Sequence, residues 1–191
     1  MESEHAILER VRTGDTRAYG LLIDRHRDGA YTLAVRILGS REEAEETVQD
    51  AFLRAYQALG SFRGDSRFGT WLYRIVFNLS MTRVSRRRPP AQSLDVLTEE
   101  GPPSVLDTEG LDVLDRMERE EQVRRVDRLM RSLPDSHRIA VELFYLQEQS
   151  YEEIASIMDV PLGTVKTYLF RGRARLRSLL ARDVDKNVRA A

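Results

Sequence analysis

The chain has 191 residues, of which 30 are basic and 31 acidic, so its formal net charge is −1. With 41% hydrophobic and 32% charged residues, it has the composition of a folded globular protein, which excludes a fibrous repeat and wholesale disorder. The absence of cysteine excludes disulfides, thiolate metal sites and thiol redox chemistry. The three histidines (His5, His26 and His137) lack metal-ligand spacing, so we predict no metal and no cofactor.

The charge is distributed unevenly along the chain. Two basic segments flank one acidic segment, with net charges of +3 over 1–90, −8 over 91–122 and +4 over 123–191. Four of the six prolines lie in or beside the acidic segment, as Pro89-Pro90 and Pro102-Pro103. Proline pairs cannot continue a helix, and repulsion among like charges opposes collapse. We therefore predict a linker over 89–121 between two domains, residues 1–88 and 122–191.

The N-terminal domain has helical periodicity and almost no strand signals. The sequence predicts a helix that is capped by Asp15 and runs to about His26. It predicts a second helix over 29–38, which Gly39 ends.

A third predicted helix begins at Ser40, which forms a capping-box pattern with Glu43, and runs to about Leu59. Its apolar residues recur at helical spacing and form one stripe. The opposite face carries charged and polar residues around one leucine. An exposed leucine among charges is either incidental or an anchor for a partner protein. The candidate residues on this face are Gln49, Asp50, Leu53 and Arg54.

The segment after this helix combines aromatic and basic residues. Five of the 14 aromatic residues fall within 62–77, and a helix is predicted from about Ser66. Rings that alternate with Arg63 and Arg67 are suited to single-stranded nucleic acid, because rings stack on bases while arginine neutralises phosphate. The alternative is that rings such as Trp71 belong to the core. The amide of Asn78 could donate and accept at a base edge.

The C-terminal domain has the strongest local pattern. A helix is predicted to open at Leu133-Pro134-Asp135, and Ser150 with Glu153 forms a second capping box that starts a short helix. The chain then turns at Asp159, and a basic helix begins near Gly163. A short helix, a tight turn and a basic helix are typical of a helix-turn-helix, whose second helix enters the major groove.

The second helix of this motif carries candidate DNA contacts. Lys166 and Arg171 could reach guanine acceptors or phosphate, and Thr164 or Thr167 could bond phosphate or touch a thymine methyl. Tyr168 is predicted to point outward with them. Arg173, Arg175 and Arg177 lie further along, where contact with the DNA backbone is expected. The alternative is a structural helix pair that does not bind DNA.

These residues resemble a known family, the small, extracytoplasmic-function (ECF) type of bacterial RNA polymerase sigma factor. The matching stretches are EEAEETVQDAFLRAY (42–56), SFRGDSRFGTWLYRIVFNLS (61–80) and SLPDSHRIAVELFYLQEQSYEEIASIMDVPLGTVKTYLFRGRARLR (132–177). The resemblance implies an all-α fold with two small helical domains, a flexible acidic linker and a C-terminal helix-turn-helix. Two residues depart from the family pattern, Gly172 in place of alanine and Tyr168 in place of a small or basic residue.

The resemblance also implies partners and roles. Core RNA polymerase would bind Gln49, Asp50, Leu53 and Arg54. The minus-ten element, including the melted non-template strand, would contact Arg63, Arg67, Trp71, Asn78, Arg83 and Arg86. The duplex minus-thirty-five element would contact Thr164, Lys166, Thr167, Tyr168, Arg171 and Arg175. An anti-sigma factor would cover both domains, and the linker would either thread the polymerase's nucleic-acid channel or act as a plain tether.

Two other classes of function, a stand-alone regulator and an enzyme, make different predictions. A stand-alone helix-turn-helix regulator would bind a palindromic duplex without polymerase. An enzyme is not expected, because no carboxylate pair, phosphate loop or nucleophile–base spacing occurs, so no catalytic residue is predicted. The N-terminus does not resemble a signal peptide and no run is apolar enough to span a membrane. We therefore expect a cytoplasmic monomer that does not insert into membranes.

Overall fold

The computed structural model describes residues 2–87, 121 and 124–190, with side chains to Ala181. Within these ranges the chain is helical and contains no strand, as predicted. The helices are α1 (Glu4–Arg12), α2 (Ala18–Leu38), α3 (Arg41–Ala58), α4 (Phe68–Arg87), α5 (124–131), α6 (Asp135–Tyr145), α7 (Tyr151–Met158) and α8 (Leu162–Ala190). A 3₁₀ turn at Leu59–Ser61 follows α3. The predicted linker, apart from residue 121, lies outside the described residues.

The N-terminal domain is formed by α2, α3 and α4, which pack against one another, with α1 against α2. Leu22, Leu33, Leu72 and Val76 are fully buried at their centre. Ser40 begins α3 as predicted, because its hydroxyl accepts the backbone N–H of Glu43. The helices therefore bury the apolar stripes that the periodicity indicated.

Two features of the N-terminal domain differ from the prediction. Helix α2 is continuous, whereas two helices separated near residue 28 were expected. A mid-helix glycine such as Gly29 costs only about 1 kcal/mol, and burial of Leu33 and Ile37 outweighs that cost. Helix α1 was not predicted, because its apolar residues form only a short cluster between charged ends, yet Ile7, Leu8 and Val11 are buried.

The C-terminal domain contains the predicted helix-turn-helix. Ser150 and Glu153 form a complete capping box at the start of α7, with both side-chain-to-backbone bonds present. Asp159 adopts a left-handed conformation (φ 54°) at the turn, which aspartate tolerates better than most residues other than glycine. A Cβ atom at Gly172 would lie 2.8 Å from Val141 Cγ2, so glycine permits α8 to pack closely on α6. Leu146, the residue after the end of α6, is 59% exposed.

Among the described residues, the two domains contact each other through helix packing and through an ion pair between Arg36 of α2 and Asp127 of α5. Helix α4 packs against α7, and α2 packs against α6. None of the described helices is long and apolar enough to cross a membrane. No cluster of potential metal ligands occurs in the described ranges.

Candidate nucleic-acid and protein interfaces

An apolar groove of about 500 Å³ lies between α2 and α3. Leu53 is 56% exposed at its edge, and Gln49 also lines it. The hydroxyl of Tyr19 donates to the backbone carbonyl of Phe52 at 2.6 Å, and this bond fixes the Tyr19 side chain against α3. Burial raises the pKa of Tyr19. The groove is lined by Thr16, Tyr19, Ile23, Arg27, Val48, Gln49, Phe52, Leu53 and Tyr56.

The groove extends beyond the residues selected from sequence. Tyr56 was not selected, although it follows Leu53 by three residues and so lies on the same side of α3. Tyr19 and Ile23 come from α2, and only tertiary packing brings them beside α3. Of the other predicted residues of α3, Arg54 is exposed outside the groove.

Arg83 lies between the two predicted surfaces of the N-terminal domain. Its guanidinium contacts the carboxylates of Glu46 at 2.9 Å and Asp50 at 3.3 Å, both on α3. Arg83 was predicted to contact DNA and Asp50 to contact polymerase. The structure joins them in one ion-pair cluster, and Arg83 faces α3.

The aromatic segment forms a ring cluster at the start of α4. Phe62 and Phe68 are buried, and Trp71 packs against both, with ring centroids 4.9 and 5.8 Å away. Glu4 of α1 fixes this end of α4, because its carboxylate accepts the backbone N–H of Phe68 at 3.3 Å. A hydrogen bond with His26 lowers the pKa of Glu4. The two phenylalanines are therefore core residues, whereas Trp71 is only partly buried.

One side of α4 carries most of the other predicted minus-ten residues, together with Arg74, which was not selected from sequence. Helical spacing places Trp71, Arg74, Asn78 and Arg86 within about 120° of one another around the helix axis. Arg74, Asn78 and Arg86 are exposed, as is Arg63 in the preceding loop. Arg67 falls at the same side, and its guanidinium forms an ion pair with Glu153 of α7. The surface formed by Arg63, Arg67, Trp71, Arg74, Asn78 and Arg86 is called the α4 basic side.

The outward face of α8 differs in part from the predicted one. Lys166, Thr167, Arg171 and Arg175 are exposed, and Thr164 is partly buried. Tyr168 points only partly outward, because it is partly buried and its ring packs on His137 with centroids 5.1 Å apart. This is a correction to the prediction.

Phe170 lies on that face and was missed. It is 73% exposed and sits one helical turn after Lys166 and Thr167. The spacing was visible in the sequence, but Phe170 was not considered among the candidate DNA contacts.

Arg173, expected at the DNA backbone, is held by aromatic residues of its own domain. Its guanidinium carbon lies 4.9 Å from the centroid of Phe144, and it donates to the hydroxyl of Tyr151 at 3.3 Å. A cation–π contact of this kind fixes the arginine against α6 and α7. The exposed residues Lys166, Thr167, Phe170, Arg171 and Arg175 are called the α8 face below.

Comparisons with known proteins match both domains. Residues 22–89 match the family model described as Sigma-70 region 2, and residues 124–176 match Sigma-70, region 4. The chain is 38% identical over 185 residues to the RNA polymerase sigma-H factor of Pseudomonas aeruginosa, covering 94% of each chain. The chain belongs to the ECF RNA polymerase sigma factor family.

Other relatives agree with this assignment. The ECF RNA polymerase sigma-E factor of Escherichia coli K12 is 39% identical over 174 residues, covering 90% of this chain and 91% of the relative. The solved structure of CnrH in complex with the cytosolic domain of CnrY is similar in fold, with a TM-score of 0.64 and 26% identity over 95% of this chain and 99% of CnrH. RpoE of Bartonella quintana, solved with the anti-sigma factor NepR, has the same fold at 23% identity, with a TM-score of 0.66 and coverage of 87% and 98%.

Family membership decides the general function. Sigma factors are transcription initiation factors rather than catalysts, and their regions 2 and 4 bind core RNA polymerase and promoter DNA. In this sigma factor, region 2 includes most residues of the α2–α3 groove and the α4 basic side, and region 4 includes the α8 face. A stand-alone regulator would not account for the region 2 match.

Proposed function

We propose that this sigma factor binds core polymerase through the α2–α3 groove, reads the minus-thirty-five element with the α8 face and holds the melted minus-ten strand on the α4 basic side. It acts in the cytoplasm as a specificity subunit and is not an enzyme. The observation that carries the proposal is the apolar groove beside an exposed Leu53, because exposed apolar surface of this kind marks a protein interaction site. The groove lies on the domain that also carries the α4 basic side.

The direct test is run-off transcription with purified core polymerase. Core polymerase with the chain should transcribe from genomic fragments that carry its promoters, and core alone should not. Failure to obtain a promoter-dependent transcript from any fragment would contradict the proposal. A gel shift by the chain on duplex DNA without polymerase, at a palindromic site, would support a stand-alone regulator instead.

The groove can be tested by one substitution. We expect Leu53→Asp to abolish co-purification with core polymerase, because a carboxylate in an apolar contact loses its hydration without gaining a partner. The fold should persist, since Leu53 is already more than half exposed. The matched control is Leu21→Asp, because Leu21 is 42% exposed and helical spacing puts it on the side of α2 away from Tyr19 and Ile23. A folded Leu53→Asp variant that still binds core would contradict the assignment.

The α8 face predicts two DNA contacts of different kinds. Arg171→Ala should weaken holoenzyme binding to a duplex minus-thirty-five probe by about 1–3 kcal/mol and relax selectivity at one base pair. Phe170→Ala should weaken binding by less, through lost apolar contact, and should leave the salt dependence unchanged. Arg177→Ala, at an exposed arginine further along α8, is the control. Equal effects of Arg171→Ala and Arg177→Ala would mean that Arg171 contributes only general charge.

An anti-sigma factor is the third proposed partner. Besides the resemblance to small sigma factors, the support is the exposed apolar residues on both domains, which include Leu53, Tyr56, Tyr145 and Phe170. Such a partner would compete with core polymerase for the groove. The test is a competition assay with the cytosolic part of a candidate anti-sigma factor. Simultaneous binding of that fragment and core to the chain would contradict a shared surface.

A further inference from the structure

The contact between α4 and α7 joins the two domains by polar side chains. The guanidinium of Arg67 binds the Glu153 carboxylate through two bonds, Nε to Oε1 at 2.8 Å and Nη2 to Oε2 at 2.5 Å. The same Nη2 donates to the backbone carbonyl of Glu148 at 3.3 Å. A two-bond fork is also how arginine binds a phosphate. The Glu153 carboxylate thus occupies the surface of Arg67 that a DNA phosphate would use.

Buried groups continue this contact. The hydroxyl of Thr70 lies 2.8 Å from Gln149 Oε1 and 2.8 Å from Glu153 Oε1, and Thr70 and Gln149 are almost fully buried. The hydroxyl of Tyr73 donates to Gln147 Oε1 at 2.9 Å. The latch is defined here as Arg67, Thr70 and Tyr73 of region 2 together with Gln147, Gln149 and Glu153 of region 4. Because buried polar groups must be paired, its inner bonds are specific to this docking arrangement.

A glycine in α2 makes room for the latch. A Cβ atom at Gly29 would lie 2.2 Å from Gln147 Oε1 and 2.4 Å from the Tyr73 hydroxyl. Glycine inside a helix costs about 1 kcal/mol relative to alanine. The glycine in α2 therefore leaves room for the hydrogen-bonded pair of Tyr73 from region 2 and Gln147 from region 4.

The arrangement in which α4 packs on α7, called the closed arrangement, is incompatible with a promoter complex. The minus-ten and minus-thirty-five elements are about 25 base pairs apart by their names, which is about 85 Å of B-DNA. A compact chain of this length has a radius of gyration of only about 16 Å. With α4 packed on α7, the α4 basic side and the α8 face cannot reach both elements.

We propose that the latch is an autoinhibitory contact, in which Glu153 of region 4 takes the place of a minus-ten phosphate on Arg67 and keeps the free chain closed. Opening separates α7 from α4 and releases Arg67 for the melted strand. The inference rests on the proposed role of Arg67 in minus-ten binding. The hydrogen bond from Arg67 lowers the pKa of Glu153 to about 2, so the carboxylate is charged at neutral pH.

The test uses the free chain and the substitution Glu153→Gln. Glutamine can replace glutamate at this position of a capping box, so α7 keeps its cap while Arg67 loses the charged partner. The control is Glu152→Gln, which removes the same charge from the same turn. Glu152 is exposed and makes no hydrogen bond or ion pair in the part of the chain that the structure describes. Gly29→Ala is a second opening variant that leaves every charge in place.

Two measurements report opening. The first is the radius of gyration from solution scattering, which should rise for Glu153→Gln and Gly29→Ala and stay at the wild-type value for Glu152→Gln. The second is the affinity of the free chain for a fluorescent mixed-sequence single strand of about 16 nucleotides. Because Arg67 is more than half exposed, we expect only a two- to fivefold gain in affinity for Glu153→Gln. The salt dependence should steepen by about 0.7 in logarithmic slope, as one phosphate contact is gained.

The outcomes separate the latch from the role of Arg67 in DNA binding. In an Arg67→Ala background, Glu153→Gln should no longer change the affinity, which identifies Arg67 as its partner. Glu153→Gln and Gly29→Ala chains with wild-type size and affinity would overturn the latch. Equal gains for Glu153→Gln and Glu152→Gln would also overturn it. If the chains open but Arg67→Ala holoenzyme opens promoters normally, the latch stands as a contact and the minus-ten role of Arg67 fails.

Discussion

Glu142 and Glu153 lie in the same contact between regions 2 and 4, and their pKa values move in opposite directions. Burial raises the pKa of Glu142 to about 7, against the opposing influence of Arg36 and Arg138. Glu153 is only partly buried, and the Arg67 hydrogen bonds lower its pKa to about 2. The comparison teaches that a nearby arginine does not by itself keep a carboxylate charged. Aligned hydrogen bonds to the carboxylate lower its pKa and keep it charged, whereas burial without such bonds raises its pKa and favours the protonated form.

The geometry around Glu142 explains why its pKa is raised. Arg36 Nε lies 3.1 Å from Glu142 Oε2, but neither carboxylate oxygen has an aligned hydrogen bond among the described residues. Arg36 instead directs Nη1 at Asp127, which also pairs with Arg131. Glu153, by contrast, accepts from Arg67, from Thr70 and from the backbone N–H of Ser150. The buried carboxylate of Glu142 therefore lacks aligned hydrogen-bond donors among the described residues, whereas the Glu153 carboxylate of the latch has three.

The largest expected effect is a pH dependence of stability from Glu142. Its pKa is higher in the folded chain than the ordinary value of 4.5, so its contribution to stability is complete below pH 4.5 and is lost as pH rises through about 7. The loss is on the order of 3 kcal/mol. In denaturant unfolding, wild type should lose this much more stability than Glu142→Gln between pH 4.5 and 8.

The control for this measurement is Glu148→Gln, at an exposed glutamate of the same domain. Its unfolding free energy should follow wild type across the pH range. Parallel curves for wild type and Glu142→Gln would mean that Glu142 is charged throughout, and the contrast with Glu153 would disappear.

A smaller effect is expected from the inner bond of the latch. Tyr73→Phe removes the hydroxyl that donates to Gln147 and should destabilise the closed chain by about 1 kcal/mol. The control is Tyr31→Phe, because the Tyr31 hydroxyl makes no hydrogen bond in the described part of the chain. Both variants are compared by thermal unfolding and by solution scattering. Equal stability of the two variants would show that the Tyr73–Gln147 hydrogen bond adds no stability to the closed chain, because the Tyr73 hydroxyl bonds equally well to water in an open chain.

The sequence predicts local features of this molecule better than its long-range ones. The helix-turn-helix was predicted because its capping box and its Asp159 turn are determined by residues within four positions of one another. The face of α8 was predicted in part, since Tyr168 was placed outward and Phe170 was not considered. Successive positions on a helix point in directions 100° apart, so a small error in phase exchanges a partly buried ring for an exposed one.

The latch could not be predicted from sequence. Arg67 and Glu153 are 86 positions apart, and neither residue is unusual in its own segment. Arg67 was interpreted as a DNA contact and Glu153 as a helix cap, and the cap is confirmed. The only local sign was Gly29 inside a helix, which was interpreted as the start of a second helix. Tertiary contact gives a single carboxylate two functions, and periodicity has no means of indicating that.

The smallest expected effect isolates the charge of Glu153. Its pKa is lower in the closed chain than the ordinary value of 4.5, so the latch contributes fully above pH 4.5 and is lost as pH falls toward about 2. Carbon-detected NMR of the side-chain carboxyl should give a midpoint near 2 in wild type. Arg67→Ala should move the midpoint back toward 4.5, while Arg74→Ala, at an exposed arginine of the same helix, should not. A midpoint unchanged by Arg67→Ala would assign the low pKa to the capping box alone, because the Ser150 N–H would then hold the charge without the latch.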